Sequence, residues 1–163
     1  MVQYHALGLL YQLKQHDRLA VSKLVTSMTK TGIRSPYAHC MLIRYAASVI
    51  RQEGEQGARF DHGKFARMLM VGSTKALYDY LESCLRHQSD MVEFEAARAI
   101  CSLGGEAEVS ARKLAPAVAV LSLFLSSPKA TQRFAAVRTL NKVYSGLLYF
   151  SCNLHPNIHC VLL

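Results

Sequence analysis

Ser127-Pro128-Lys129-Ala130-Thr131-Gln132-Arg133-Phe134-Ala135-Ala136-Val137-Arg138-Thr139-Leu140-Asn141-Lys142-Val143 reads as one complete helix. Ser127 has the side chain of an N-cap, and Pro128 suits a first helical turn, where its missing N–H costs nothing. Phe134, Val137, Leu140 and Val143 then predict a single apolar stripe. The stretch has an echo: Phe94, Ala96, Ala97, Arg98, Ile100 and Leu103 stand 40 positions before Phe134, Ala136, Val137, Arg138, Leu140 and Val143. The preceding segment repeats as well, with Leu81, Cys84 and Leu85 falling 40 positions before Leu121, Phe124 and Leu125.

A two-helix unit recurring at that distance lies within the ~40–47-residue period of HEAT and armadillo arrays. A weaker third copy ends at Cys40-Met41-Leu42-Ile43-Arg44, with Arg44 and Arg98 54 positions apart. The fold class this predicts is all-α, a HEAT/armadillo-like α-solenoid of about three helical-pair repeats with one enlarged inter-repeat segment. A chain of 163 residues with 51% hydrophobic residues and no Trp suits packed helices and a core of ordinary size.

Outward from the organising helix, residues 2–15 predict a helix with Leu7, Leu10 and Tyr11 inward. It starts uncapped, as a chain beginning inside an array would. Asp17 is the N-cap of the next helix, with Val21, Leu24, Val25 and Met28 inward and Gly32 at its end. Ser35-Pro36 opens a third helix through about Gln52, carrying Cys40, Ile43, Ala47 and Ile50 on its inner face. Gly54, Gly57, Gly63 and Gly72 then predict a mobile loop over about 54–73 with one short helical turn. Helices over 75–87, 91–103 (capped by Asp90, closed by Gly104-Gly105) and 110–126 (Pro116 near its start) follow. The organising helix ends near Tyr144, and residues 144–163, which hold no Asp, Glu, Lys or Arg, form a divergent tail outside the repeat.

The formal charge is +8, and residues 1–51 set Lys14, Arg18, Lys23, Lys30, Arg34, Arg44 and Arg51 against Asp17 alone. That excess suits an acidic protein surface, anionic lipid or nucleic acid. Lys23 and Lys30 share the outer face of the second helix, and with Arg34 they form an exposed basic strip. Arg44, Arg98 and Arg138 recur at one repeat position; the expected role is structural, each guanidinium bonding carbonyls or acids between stacked repeats. Asn141 is placed to bond across the stack.

Cys40, Cys84 and Cys101 fall on apolar helical faces, and the odd count of five cysteines without secretory signs predicts reduced thiols in the cytosol. Cys152, His155, His159 and Cys160 are zinc-ligand types, but their spacing is too compact for a two-knuckle site, so no metal site is predicted. The histidines His5, His16, His39, His62 and His87 have no nucleophile or general-base pattern around them, and neither a Walker loop nor a dinucleotide fingerprint is present. No catalytic, cofactor-binding or metal residues are predicted, and the chain is not expected to be an enzyme. No window approaches the ~18 apolar residues of a transmembrane helix.

Residues 1–32, Ser35-Pro36-Tyr37-Ala38-His39-Cys40-Met41-Leu42-Ile43-Arg44, Tyr78-Asp79-Tyr80-Leu81-Glu82-Ser83-Cys84-Leu85-Arg86, 91–98 and 113–121 closely resemble the coatomer gamma-subunit family. Residues 126–143 are the strongest single match. The resemblance implies an adaptin-like helical trunk spanning 1–143, a scaffold segment of the COPI vesicle coat in Golgi-to-ER and intra-Golgi transport. It further implies cytoplasmic and peripheral Golgi-membrane placement, with other coatomer subunits (zeta, beta and delta type) and an Arf-type GTPase as partners. Lys23, Lys30 and Arg34 are the candidate contact residues. Two other readings stay open: a basic helical nucleic-acid-binding module, which would require a steep salt dependence, and a truncated, non-functional variant.

Overall fold

The computed structural model describes residues 2–14, 17–57, 64–103 and 111–154. These residues form seven helices: α1 (Val2–Lys14), α2 (Arg18–Thr31), α3 (Pro36–Gly57), α4 (Lys64–Cys84), α5 (Asp90–Leu103), α6 (Ala111–Leu125) and α7 (Ala130–Leu154). No strand occurs among the described residues. Odd-numbered helices pack side by side as one layer (α1 on α3, α3 on α5, α5 on α7), and even-numbered helices cover them from the other side. This is the two-layer helical array that the 40-residue echo predicts.

The repeat distances survive in three dimensions. From the start of α3 at Pro36 to the start of α5 at Asp90 is 54 residues, and from Asp90 to the start of α7 at Ala130 is 40. The longer interval is not filled by a loop, which corrects the expectation for 54–73. Helix α3 runs to Gly57 and α4 begins at Lys64, so the two helices flanking residues 58–63 have lengthened to 22 and 21 residues. A glycine in a helix costs only ~1 kcal/mol against alanine. Between Gly63 and Gly72 stand Lys64, Ala66, Arg67, Met68, Leu69 and Met70, all strong helix formers. Gly104, Gly105 and residues 58–63 lie outside the described residues.

Local signals fix most boundaries. The Ala20 N–H donates to Asp17 Oδ1 (3.1 Å), satisfying one of the unpaired amides at the start of α2. At the other end Gly32 adopts φ 72°, which a side-chain-bearing residue would resist. Helix α5 departs from expectation, because Asp90 is its first helical residue rather than its cap. The Ser89 carbonyl accepts from Val92 N–H (3.0 Å) and Glu93 N–H (3.1 Å), and Asp90 is left free to reach α7. Helix α7 likewise starts later than Ser127-Pro128 predicts. Lys129 O accepts from Gln132 and Arg133 N–H, while the Ser127 hydroxyl accepts from Lys129 N–H (3.2 Å) and donates to the Gln132 side chain.

The core is continuous across the layers. Leu7, Val21, Val25, Leu42, Ile43, Leu77, Leu81, Val92, Ala96, Ala97, Leu103 and Leu121 are all buried. Leu10, Tyr11 and Met28 pack partly buried against them. Helix α1 docks on α3 with Tyr11 stacked on Tyr45 (centroids 3.9 Å apart, rings within 2° of parallel). Gly8 permits the approach, since a Cβ there would meet Met41 Cε at 3.3 Å. Phe94 meets Phe124 edge to face at 5.7 Å, which joins α5 to α6. Lys113 Nζ lies 4.1 Å from the ring centre of Tyr78, a cation–π link from α6 to α4.

Helix α7 corrects two expectations. It continues through Leu154, so the first part of the charge-free tail extends the last repeat helix. Absence of charge does not break a helix, and α7 is described as far as Leu154. The buried face is also not the expected stripe. Phe134 is 68% exposed and Val137 55%, whereas Ala136 and Thr139 are buried and Leu140 and Val143 pack partly against the core. Steps of three residues advance 300°, so Phe134 and Val143 end up on opposite sides of the helix; Ala136, Leu140 and Val143, spaced four and three, share one. Phe134→Ala is therefore expected to shift stability by no more than about 0.5 kcal/mol in urea unfolding, whereas an inward-facing Phe would cost ~3–5.

Candidate functional site

Two sets of basic residues stand on different layers of the stack. Lys23 and Lys30 lie exposed on α2, seven residues and therefore about 10 Å apart along the axis. Arg34, also exposed, follows in the connection after Gly32. None of them forms an ion pair with a described residue. Each of the three residues is exposed.

Of the arginine ladder, two members come together. Glu95, on α5, is buried to 9% side-chain exposure between them. Arg44 Nε, arriving from α3, donates to Glu95 Oε1 at 2.6 Å. Arg98, one turn along α5, donates through Nη2 to Oε1 (2.6 Å) and through Nε to Oε2 (3.1 Å). Burial opposes ionisation of Glu95, but the hydrogen bonds from Arg98 and Arg44, followed by their charges, hold its carboxyl below the ordinary carboxylate range. The bond to Glu95 in turn raises Arg44. The structural role expected of Arg44 and Arg98 is met by this one carboxylate, which the sequence reasoning did not single out. Its signal was available, since Glu95 stands three residues before Arg98, a spacing that pairs charges on a helix. Arg138 is outside the cluster, exposed on α7. Asn141, expected to bond across the stack, is exposed and its side chain bonds no described residue.

A second polar group is structural. His39 on α3 lies against the Ile33 carbonyl through Nε2 (2.8 Å) and the Tyr80 hydroxyl through Nδ1 (3.1 Å). A carbonyl can only accept, so Nε2 carries the proton and Nδ1 accepts from Tyr80. The His87 ring stands 4.9 Å away, and its Nδ1 accepts from Ser89 N–H (3.0 Å). Desolvation lowers the His39 pKa, with the Ile33 bond opposing and the His87 charge assisting. A histidine lowered in the folded state contributes stability that is present above its unfolded pKa of ~6.5 and is lost as pH falls below it. Melting temperature is expected to hold above about pH 7 and to drop on acidification from 6.5 to 5.5, and His39→Gln should remove part of that slope. A wild-type slope retained in full by His39→Gln would exclude the assignment.

Cys40, Cys84 and Cys101 are free and buried. Desolvation raises all three thiols, Cys40 and Cys101 to about 11, so they are protonated and unreactive near neutrality. The groups His155, His159 and Cys160 lie outside the described residues, as do His16 and His62. Among the described residues no group of three or more His, Cys, Asp or Glu is arranged to hold a metal ion. No described helix is long and apolar enough to cross a membrane.

What the described surface offers, then, is charged and apolar helix faces. The chain is 51% identical over 156 residues to coatomer subunit gamma-2 of Oryza sativa subsp. japonica, covering 94% of this chain and 16% of the relative. It is 53% identical over 143 residues to coatomer subunit gamma of Arabidopsis thaliana and 51% to coatomer subunit gamma-1 of Homo sapiens, in each case 88% of this chain and 14% of the relative. The chain thus spans about one seventh to one sixth of the length of the curated relatives it matches. No solved structure gives a significant match. The adaptin N terminal region family matches residues 1–161, taking in both residues 54–73 and most of the charge-free tail. On that match over nearly its whole length, the chain belongs to the adaptin N-terminal region family.

Proposed function

We propose that this chain is a scaffold segment of the COPI vesicle coat, acting in Golgi-to-ER and intra-Golgi protein transport through protein contacts and without catalysis. The observation that carries the reading is the 51–53% identity to coatomer gamma subunits over 88–94% of the chain. The two-layer helix stack supports it, because such arrays present long surfaces assembled from successive repeats. Other coatomer subunits (zeta, beta and delta type) and an Arf-type GTPase are the proposed partners, with peripheral association on the cytosolic face of Golgi membrane. Lys23, Lys30 and Arg34 are the proposed contact residues, since exposed cations with no ion-pair partner among the described residues favour encounter with an acidic protein surface.

The test is co-purification with a zeta-type coatomer subunit by size-exclusion chromatography at moderate salt. The reading expects a one-to-one complex. It expects the charge reversal Lys23→Glu, Lys30→Glu, Arg34→Glu to weaken the complex at least several-fold without lowering the melting temperature. A folded, monomeric chain that binds none of the proposed partners would overturn the scaffold reading. Unchanged binding by the triple variant would remove the strip from it.

A further inference from the structure

We propose that the arginine row on the α3–α5–α7 layer is a docking surface for an acidic protein segment, distinct from the α2 edge. The row consists of Arg44 and Arg51 on α3, Arg98 on α5, and Arg138 and Lys142 on α7. Each pair shares one helix face, being seven residues apart on α3 and four on α7. The three helices are consecutive neighbours in their layer. Arg51 Nη2 lies 3.5 Å from Ser102 Oγ, two turns beyond the contact of Arg44 with Glu95, so α3 and α5 run side by side in register along the row.

Among the described contacts the charge is unbalanced. Glu95 is the one carboxylate that they bring to the row, and it pairs with two of the five cations, Arg44 and Arg98. Its pairing is also incomplete from the arginines' side. Arg44 gives Glu95 only its Nε–H, and both of its Nη groups have no hydrogen-bond partner among the described residues. Arg98 keeps Nη1 in the same condition. These side chains remain 61% and 48% exposed although one end of each is tied down. A guanidinium held through one edge has lost rotamer freedom before any partner arrives, which lowers the cost of using its other edge.

The occupant fits the geometry. Arginine presents paired N–H groups that match a carboxylate bidentately, and four of the five cations are arginine. Neighbouring helices lie about 8–10 Å apart, so the row offers cations in separated steps. A chain carrying spaced Asp or Glu residues can match such steps one by one. An anionic lipid surface is met by Lys and Arg alike and has no need of such separated steps.

Fluorescence anisotropy at 50 mM salt tests this with the full chain and a labelled Gly/Ser-spaced peptide carrying six Glu residues. Saturable binding is expected, with none for the peptide in which Gln replaces Glu. Arg51→Gln combined with Arg138→Gln leaves the Glu95 cluster intact and is expected to weaken binding about five- to tenfold, as the loss of two exposed pairs would. Lys23→Gln with Lys30→Gln, on the other layer, is expected to stay within about twofold of wild type. Equal losses from both double variants would overturn the proposal, leaving only non-specific attraction to net charge. No peptide binding, alongside Arg51- and Arg138-dependent capture of vesicles containing phosphatidylserine, would overturn it in favour of a membrane surface.

Discussion

Leu42→Ala is expected to destabilise the protein by about 3 kcal/mol, within the ~2–5 typical of a buried leucine truncated to alanine. Leu42 is fully buried on α3, and α3 is the helix that α1, α2, α4 and α5 all touch. A void there borders several elements at once, and a close-packed helix stack can collapse around it only in part. For a chain of this length the loss corresponds to about 6–12 °C in melting temperature. Leu123→Ala is the matched control. Its side chain is 72% exposed on α6, and the expected change is within about 0.5 kcal/mol. Similar melting temperatures for the two variants would contradict the assignment of the core to α3.

Glu95→Ala is expected to cost about 2 kcal/mol, the second largest effect. Removing one partner from a fully buried ion pair costs ~3–5 kcal/mol, because the other charge is left stranded. Here Arg44 and Arg98 reach water, so they are resolvated and the loss falls below that range. What disappears is three charge-assisted hydrogen bonds, one tying α3 to α5 and two within α5, with packing around the aliphatic stem. Arg44→Gln and Arg98→Gln should each cost less, since Glu95 keeps one guanidinium in either variant. The pH dependence has a definite sign. A carboxylate lowered in the folded state stabilises above its unfolded pKa of ~4.3, and that stability is lost as pH falls through the folded value. The gap between wild type and Glu95→Gln should therefore narrow as pH falls below about 4, and a gap constant from pH 7 to 3 would exclude an ionised Glu95.

Much of this architecture was legible in the chain, for identifiable reasons. Asp17 and Gly32 bracket α2 because a capping carboxylate and a left-handed glycine each have one dominant use. The 54- and 40-residue intervals between arginines reappear as the intervals between helix starts. The exposed positions of Lys23 and Lys30 followed from their place opposite Val21, Leu24 and Val25.

Where the reading failed, a local rule was applied without its competing term. Four glycines suggested a loop, but the helix-forming residues between Gly63 and Gly72 outweigh their cost. Phe134, Val137, Leu140 and Val143 looked like one stripe only because the 60° drift of each three-residue step was ignored. Ser127-Pro128 does make the expected turn, with the first helical residue placed at Ala130. Glu95 was hidden for a different reason. A glutamate among alanines on a helix gives no sign that α3 will lay Arg44 across it; that contact spans 51 residues and exists only once the layers have packed.

The most direct test of the coat reading is a segment exchange. This chain would replace the 143-residue matching segment of the Arabidopsis thaliana coatomer gamma subunit, and entry of the chimera into assembled coatomer would be measured by affinity purification. The scaffold account predicts that the chimera co-purifies with the other coatomer subunits at near wild-type stoichiometry. A chimera that folds and accumulates normally but is absent from the complex would contradict it.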